Sequence, residues 1–244
     1  MSLRGRGVLV TRPAGVAAPF AARIERAGGK AILFPTIEIV ALAPPPAFDR
    51  LSDFALAIFI SPTAVERALA LAGRWPRTLA VAAVGEGTRR ALERAGVAEV
   101  IAPREGGDSE SLLATPQLER FSGQRVLIVR GAGGRELLAQ ALAARGCQVE
   151  IAECYRRARP VLDAAALLAD WQAGKVDALT AFSGEALDNL AEMVGEARLR
   201  GTPLFVSHPR IAEQAARRGL EAIVAGPGDD AMLERLVAYF DERH

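Results

Sequence analysis

A buried strand that ends in a basic turn and leads into a helix is the feature that most constrains this fold. The apolar run at 8–10 is followed by Thr11, Arg12 and Pro13, and apolar residues then recur at helical spacing. Runs rich in β-branched residues, closed by turn residues and followed by a helix, are typical of parallel strands buried on both faces. The pattern therefore predicts an α/β fold.

The same pattern returns about 120 residues later, and such a return predicts an internal duplication. Arg130 follows an apolar run as Arg12 does, and Ser61 and Ser183 stand at matching places in the two halves. We therefore expect each half of the chain to contribute one copy of a single architecture.

Strands alternate with helices along the chain, which predicts parallel sheets wrapped by helices through right-handed crossovers. One ten-stranded sheet is an alternative. The duplication and the polar, proline-flanked segments 35–46 and 153–160 instead favour two lobes. We expect a parallel five-stranded sheet flanked by helices in each lobe, with residues 99–102 as one of the strands.

The composition narrows the classes of ligand and partner. Half of the 244 residues are hydrophobic and 24% are charged, as in globular proteins. A net charge of +1 gives no reason to expect nucleic acid or an anionic membrane as a partner. No apolar run approaches the roughly 18 residues that span a bilayer. Two cysteines and the lack of an apolar leader segment at 1–7 predict a cytoplasmic protein.

Six predicted turns bring polar residues to the carboxyl ends of strands, where parallel α/β proteins bind their ligands. Their backbone N–H groups, hydroxyls and guanidinium groups together suit a ligand with several carboxylates or phosphates. Helix capping and tight turns would explain any single one of these residues without a ligand. The candidates are Arg12, Pro13, Ser61, Thr63, Gly85, Thr88, Arg130, Gly131, Ser183, Gly184, Ser207 and His208.

The sequence disfavours metal, triad and nucleotide chemistry. His208 is the one histidine away from the terminus, so a metal site or a Ser-His-Asp triad would rest on it alone. The glycine-rich run at 131–134 lacks the lysine and the spacing of a phosphate-binding loop. Two interpretations of Tyr155 stay open: a packing residue, or a phenol that donates a hydrogen bond to a leaving oxygen.

The order and spacing of these motifs resemble the uroporphyrinogen-III synthase family over essentially the whole length of the chain. The segments that carry the resemblance are 8–13, 34–39, 58–65, 83–88, 108–113, 129–131, 155–157 and 182–184. The resemblance implies two similar lobes joined by a two-stranded ribbon. One lobe would take residues 1–37 plus 160–244, the other 42–153, with 38–41 and 154–159 as connectors. A duplicated unit by itself would equally allow two contiguous lobes.

The resemblance also implies a cyclising hydro-lyase of tetrapyrrole biosynthesis. Such an enzyme closes linear hydroxymethylbilane to uroporphyrinogen III, with loss of water and inversion of the last pyrrole ring. No cofactor and no metal are expected. The eight carboxylates of the substrate suit the candidate turns, with Arg12 and Arg130 as clamps on opposite sides of a cleft, and Tyr155 is expected to assist loss of the hydroxyl group. The resemblance further implies a monomer in transient contact with the preceding enzyme of the pathway.

A non-enzymatic binding protein is the alternative hypothesis. Such a protein would close two lobes on an anionic small molecule without converting it. The lack of an apolar leader segment argues against an exported protein of this kind. Formation of the type III isomer from hydroxymethylbilane would separate the two hypotheses.

Overall fold

The structure is a computed structural model that describes residues 2–73, 75–134 and 136–242. The chain divides into two compact units. Unit 1 is Met1–Glu38 with Ala158–His244, and unit 2 is Ile39–Arg157. Within the described residues, ten strands form two sheets of five. The predicted α/β fold with two five-stranded sheets is thus confirmed.

The strands alternate with helices in both units. The strands are β1 (Gly7–Val10), β2 (Lys30–Leu33), β3 (Glu38–Ala41), β4 (Leu56–Phe59), β5 (Ala80–Ala83), β6 (Arg125–Gly131), β7 (Gln148–Ala158), β8 (Ala178–Ala181), β9 (Leu204–Val206) and β10 (Ala222–Val224). The helices are α1 (Ala14–Arg26), α2 (Pro62–Ala72), α3 (Glu86–Arg94), α4 (Ser109–Leu113), α5 (Leu137–Ala144), α6 (Ala165–Gln172), α7 (Gly184–Val194), α8 (Glu196–Leu199), α9 (Pro209–Arg217) and α10 (Gly228–Asp241). Two 3-10 helices, Pro46–Asp53 and Pro116–Phe121, lie in unit 2.

The sheet of unit 1 is parallel and has the strand order β10-β9-β8-β1-β2. The central strands β1, β8 and β9 are buried along their full length. Side chains alternate between two apolar clusters: Val8 and Val10 pack on one face of the sheet and Leu9 on the other. Cover on both faces explains why these strands are continuous apolar runs in the sequence.

The sheet of unit 2 has the strand order β3-β7-β6-β4-β5 and is mixed. The pairs β4–β5, β4–β6 and β6–β7 are parallel, so β3 runs antiparallel to β7. The prediction of an entirely parallel sheet was therefore wrong for this unit. β3 is an edge strand with one neighbour, and a single antiparallel edge strand is common on an otherwise parallel sheet.

Two further predictions for unit 2 need correction. Residues 99–102 form no strand, because only Ile101 bridges to the sheet, through its N–H to Val81 and its carbonyl to the N–H of Ala83. Pro103 follows at once and has no N–H with which to extend the pairing. The segments 38–41 and 154–159 were predicted to pair as a connecting ribbon; β3 and the end of β7 do pair with each other, but inside the five-stranded sheet rather than apart from it.

No helix in the described part of the chain combines the length and the apolar character needed to cross a membrane.

Candidate functional site

Six of the predicted site residues lie at one edge of the unit 1 sheet. Parallel strands end at the same edge of a sheet, so the turns that follow them are neighbours there. These residues are Arg12 and Pro13 after β1, Ser183 and Gly184 after β8, and Ser207 and His208 after β9.

Buried threonines fix the backbone of this edge. Thr11 donates its hydroxyl hydrogen to the carbonyl of Thr180 at 2.8 Å, and the single hydroxyl hydrogen of Thr36 is shared between the carbonyls of Thr11 at 3.3 Å and Ala186 at 3.1 Å. The side chains of Thr11, Thr36 and Thr180 are all fully buried and hydrogen-bonded. Because a buried polar group without a partner destabilises the fold, this network specifies one conformation of the turn that carries Arg12.

Arg12 is held by an acidic and an aromatic partner. Its Nη2 lies 2.7 Å from Oδ1 of Asp229, and its guanidinium carbon lies 3.6 Å from the centroid of the Phe182 ring. The Phe182 ring meets Phe20 edge to face at 5.3 Å. Burial lowers the pKa of Arg12 from its ordinary value, and the Asp229 carboxylate acts in the opposite direction. A guanidinium keeps its charge at neutral pH even so.

The two serines of this edge bond to the backbone of unit 1. Ser183 precedes α7 and accepts a hydrogen bond from the N–H of Ala186 at 3.1 Å. Ser207 is buried and donates to the carbonyl of Phe182 at 3.2 Å. Both hydroxyls therefore stabilise turns, as the capping interpretation expected.

Three predicted site residues of this edge remain: Pro13, Gly184 and His208. His208 is exposed and precedes α9 without a side-chain hydrogen bond to the helix, as Pro13 precedes α1. Gly184 lies against Gln214, because a Cβ at this position would be 2.0 Å from Oε1 of the glutamine. The amide of Gln214 also donates to the carbonyl of Gly184 at 3.2 Å. A side chain at position 184 would therefore displace Gln214.

Seven predicted site residues lie at the corresponding edge of the unit 2 sheet. They are Ser61 and Thr63 after β4, Gly85 and Thr88 after β5, Arg130 and Gly131 at the end of β6, and Tyr155 in β7.

A β-bulge sets the position of Tyr155. Arg130 pairs with Glu153, but the next residue, Gly131, pairs with Tyr155, so that Cys154 is an extra residue in β7. A bulge of this kind changes the direction of the side chains that follow it. As a result, Cys154 and Tyr155 are both buried in the same apolar cluster, although they are consecutive in the strand.

The phenol of Tyr155 packs between a glycine and a serine. Tyr155 is 4% exposed, and its hydroxyl lies 3.1 Å from the hydroxyl of Ser61. A Cβ at Gly131 would lie 2.6 Å from Cζ of the ring, so only glycine leaves room for the phenol. Ser61 also accepts the N–H of Ala64 at 3.1 Å and so begins α2. From the sequence, Tyr155 is either a packing residue or a hydrogen-bond donor to a leaving oxygen. In the structure its ring is packed and its hydroxyl is hydrogen-bonded, so both interpretations stay open.

The residues around α3 form a close approach of backbone segments. Gly85 precedes this helix, and a Cβ on Gly85 would lie 3.2 Å from Cα of Gly107. Thr88 is buried in the first turn of the helix, whereas Thr63 in the first turn of α2 is half-buried. The loop around Gly107 therefore lies over the beginning of α3.

Arg130 is surrounded by groups of unit 2. Its side chain is 9% exposed, and its Nη2 lies 2.8 Å from Glu136 and 3.2 Å from Glu153. Its Nη1 donates to the carbonyl of Gly134 at 3.1 Å. Arg130 thus connects the end of β6, strand β7 and the glycine-rich loop at 131–134.

Cys154 is a buried neutral thiol. Burial raises its pKa to about 11, and the thiol donates a hydrogen bond to the carbonyl of Arg130 at 3.4 Å. Because the thiolate is the nucleophilic form, Cys154 is unsuited to covalent catalysis at neutral pH.

Sequence reasoning missed the acidic partners of both arginines. Asp229, Glu136 and Glu153 carried no signal, because acidic residues are common and the partner of each arginine is fixed only by folding. The position of Asp229 in the first turn of α10 is the one local hint, since acidic residues favour helix N-termini. Among residues 2–73, 75–134 and 136–242, no three His, Cys, Asp or Glu side chains form a group that could hold a metal ion.

Comparison with known proteins gives consistent matches. The family model described as uroporphyrinogen-III synthase HemD matches residues 18–234. The uroporphyrinogen-III synthase of Escherichia coli (strain K12) is 33% identical over 246 residues, covering 94% of this chain and 99% of that protein. The enzyme of the same name from Salmonella typhimurium is 35% identical over 243 residues, with coverage of 94% and 99%.

Solved structures share the fold. The uroporphyrinogen-III synthetase of Helicobacter pylori 26695 aligns with a TM-score of 0.68 at 16% identity, covering 96% of this chain and 99% of that one. A mutant uroporphyrinogen III synthase of the extremely thermophilic bacterium Thermus thermophilus aligns with a TM-score of 0.61 at 20% identity, covering 98% and 100%. These structures show the fold, while the family model and the two bacterial relatives show that the chain belongs to the uroporphyrinogen-III synthase family.

Proposed function

We propose that this chain catalyses the reaction for which its family is named, the closure of hydroxymethylbilane to uroporphyrinogen III. Water is lost and the last pyrrole ring is inverted in this reaction. The observation that carries the proposal is the match to relatives named uroporphyrinogen-III synthase over 94% of the chain.

The chemical task is one of positioning. Departure of the hydroxyl group leaves an electrophilic azafulvene, and attack by the substituted end of ring D gives a spiro intermediate from which the inverted ring can close. Spontaneous closure gives the uninverted type I isomer. The enzyme must therefore hold the chain in one folded geometry, and proximity effects of this kind can supply much of a rate enhancement.

Tyr155 is our proposed donor to the leaving hydroxyl group. The carbon–oxygen bond breaks with its electron pair going to oxygen, and a hydrogen bond from the phenol stabilises the charge that develops there. Burial of the ring and the 3.1 Å contact between its hydroxyl and that of Ser61 support this role, because both restrict the phenol to one position.

Arg12 is our proposed direct contact for a substrate carboxylate. A guanidinium presents five N–H donors in a fixed fork that matches a carboxylate. Arg130 is less suited to direct contact, because Glu136, Glu153 and the carbonyl of Gly134 already surround its guanidinium. We propose that Arg130 instead fixes the end of β6 beside Tyr155.

Backbone N–H groups and hydroxyls supply the remaining contacts in this proposal. Free N–H groups at helix N-termini favour anions, and several helices begin at the carboxyl edges of the two sheets. We propose Ser61, Thr63, Gly85, Thr88, Gly131, Ser183, Gly184, Ser207 and His208 at these positions, while Pro13, which has no N–H, shapes the turn that carries Arg12.

The two units are, in our proposal, copies of one duplicated element. The order β2-β1-β8-β9-β10 in unit 1 corresponds to β7-β6-β4-β5 in unit 2, followed by the bridge at Ile101. Ser61 and Ser183 begin corresponding helices through the same type of hydrogen bond.

Four further expectations stay predictions: the lobe boundaries, the cytoplasmic location, the monomeric state and the transient contact with the preceding enzyme.

Isomer analysis of the product tests the proposed function. Hydroxymethylbilane is generated in the assay, and the uroporphyrin isomers are separated by chromatography after oxidation. We expect the type III isomer with the protein and the type I isomer in a control without it. Formation of only type I in both samples would contradict the proposal and favour a non-enzymatic binding protein.

A further inference from the structure

We propose that Asp229 is a positioning residue, which holds the guanidinium of Arg12 ready to receive a carboxylate of the substrate. This inference rests on the proposed function, because Arg12 is the proposed contact. Asp229 lies in the first turn of α10, far from β1 in the sequence, and the fold brings the two residues together.

The geometry leaves part of the Arg12 fork available. Asp229 contacts Nη2 at 2.7 Å, and Phe182 covers one face of the guanidinium at 3.6 Å. A carboxylate on one terminal nitrogen and a ring on one face leave further N–H donors of the fork for a second carboxylate. The side chains of Arg12 and Asp229 are 21% and 17% exposed, so the pair is shielded but reachable.

Arg130 is a contrasting arginine, because the protein encloses its guanidinium more completely than that of Arg12. Its side chain is 9% exposed, and two glutamates and a carbonyl contact its terminal nitrogens. Arg12 has one acidic partner and more than twice the exposed fraction. The guanidinium of Arg12 is therefore partly immobilised by one carboxylate of the protein, and it keeps N–H groups for a carboxylate of the ligand.

A flexible arginine would bind the same carboxylate less well. The arginine side chain has high rotamer entropy, and ordering it at the moment of binding weakens affinity. Phe182 alone allows the guanidinium to rotate in the plane of the ring, whereas the carboxylate of Asp229 fixes the direction of the fork. Removal of Asp229 is therefore expected to raise KM and to leave kcat nearly unchanged.

Asp230 provides a matched control within the same helical turn. It also lies in the first turn of α10 and also pairs with an arginine, Arg23 of α1. Substituting either aspartate removes one acidic residue from the helix N-terminus and one ion pair from unit 1. Only Asp229 contacts the arginine at the carboxyl edge, so only its loss should change substrate binding.

The experiment compares Asp229→Ala, Asp229→Asn and Asp230→Ala in steady-state assays with hydroxymethylbilane. For Asp229→Ala we expect KM to rise about tenfold with kcat within about twofold of wild type, as for a lost binding contribution. Asp229→Asn keeps an acceptor oxygen and should show a smaller rise. Asp230→Ala should keep the wild-type KM, and because the Arg23–Asp230 pair is more exposed, this variant should lower the thermal unfolding midpoint less than Asp229→Ala does.

A double-mutant cycle shows whether Asp229 acts through Arg12. In an Arg12→Ala background, Asp229→Ala and Asp229→Asn should produce no further rise in KM. An unchanged or lower KM in single Asp229 variants that form type III product, or fully additive effects in the cycle, would overturn the inference. If Asp229→Ala fails to fold, Asp229→Asn decides through the same cycle. Wild-type protein that forms only the type I isomer would instead contradict the proposed function.

Discussion

At position 131, the absence of a side chain determines where Tyr155 lies. The phenol occupies the space that a Cβ would take, 2.6 Å from its Cζ, and Ser61 contacts its hydroxyl. The sequence places Gly131 in a predicted turn, but Gly131 is not among the glycines with positive φ. Its importance comes from close packing rather than from backbone freedom.

Replacement of the phenol hydroxyl tests its chemical role. Tyr155→Phe should lower kcat by about a hundredfold if the hydroxyl acts as a donor in the transition state. The free energy of unfolding should fall by only about 1 kcal/mol, since one hydrogen bond to Ser61 is lost. Kinetics and urea unfolding measure the two quantities, and wild-type turnover would remove Tyr155 from the mechanism.

Gly131→Ala tests the packing argument. The added methyl group must displace the Tyr155 ring, so we expect a loss of kcat similar to that of Tyr155→Phe and a destabilisation of about 1–3 kcal/mol. Gly15→Ala is the control, because Gly15 lies in α1 with open space around a Cβ, and this variant should be more stable than wild type by about 0.5–1 kcal/mol. Normal kcat in Gly131→Ala would show that the position of the ring does not matter.

At the scale of elements, α2 and α7 begin in the same way. Ser61 and Ser183 each accept a hydrogen bond from the N–H three residues later, at 3.1 Å in both helices. Ser61 additionally contacts Tyr155, whereas Ser183 has no hydrogen bond to a tyrosine in the described part of the chain. The pair therefore separates the effect of a helix cap from the effect of the phenol contact.

Alanine substitutions at these two serines should differ by the phenol contact. Ser183→Ala should lower the free energy of unfolding by about 1 kcal/mol through loss of the cap. Ser61→Ala should lower it by about 2 kcal/mol, because the Tyr155 hydroxyl also loses its partner. In a Tyr155→Phe background the Ser61 effect should fall to that of Ser183. Equal losses in the two single variants would argue against the contact.

The elements also show where sequence patterns fail. Continuous apolar runs correctly predict the buried strands β1, β6 and β8, because burial on both faces requires them. Residues 99–102 have a similar run, but Pro103 leaves a single bridge at Ile101. The direction of β3 was also missed, because an alternating pattern fits an edge strand of either orientation.

At the scale of the whole molecule, the two units use the chain differently. Unit 2 is the continuous segment Ile39–Arg157, and its sheet and both of its apolar clusters come almost entirely from within that segment. Unit 1 needs both ends of the chain, since β1 from one end lies between β2 and β8 in the sheet. The units should therefore respond differently to fragmentation.

A fragment of residues 39–157 should fold by itself. We expect circular dichroism typical of an α/β protein and cooperative unfolding in urea, because the fragment contains a complete core. A fragment of residues 158–244 should stay unfolded, because it lacks the central strand β1. An unfolded 39–157 fragment would contradict the assignment of a self-sufficient unit.

The sequence by itself determined the α/β class, the places of the βα turns and the candidate residues at the carboxyl ends of the strands. Periodicity and turn chemistry act over a few residues, so a linear pattern contains this information. Only the tertiary structure decided the antiparallel edge strand, the bulge that places Tyr155 against Gly131, and the pairing of Arg12 with Asp229. These features depend on contacts between distant segments, and no local pattern specifies which segments meet.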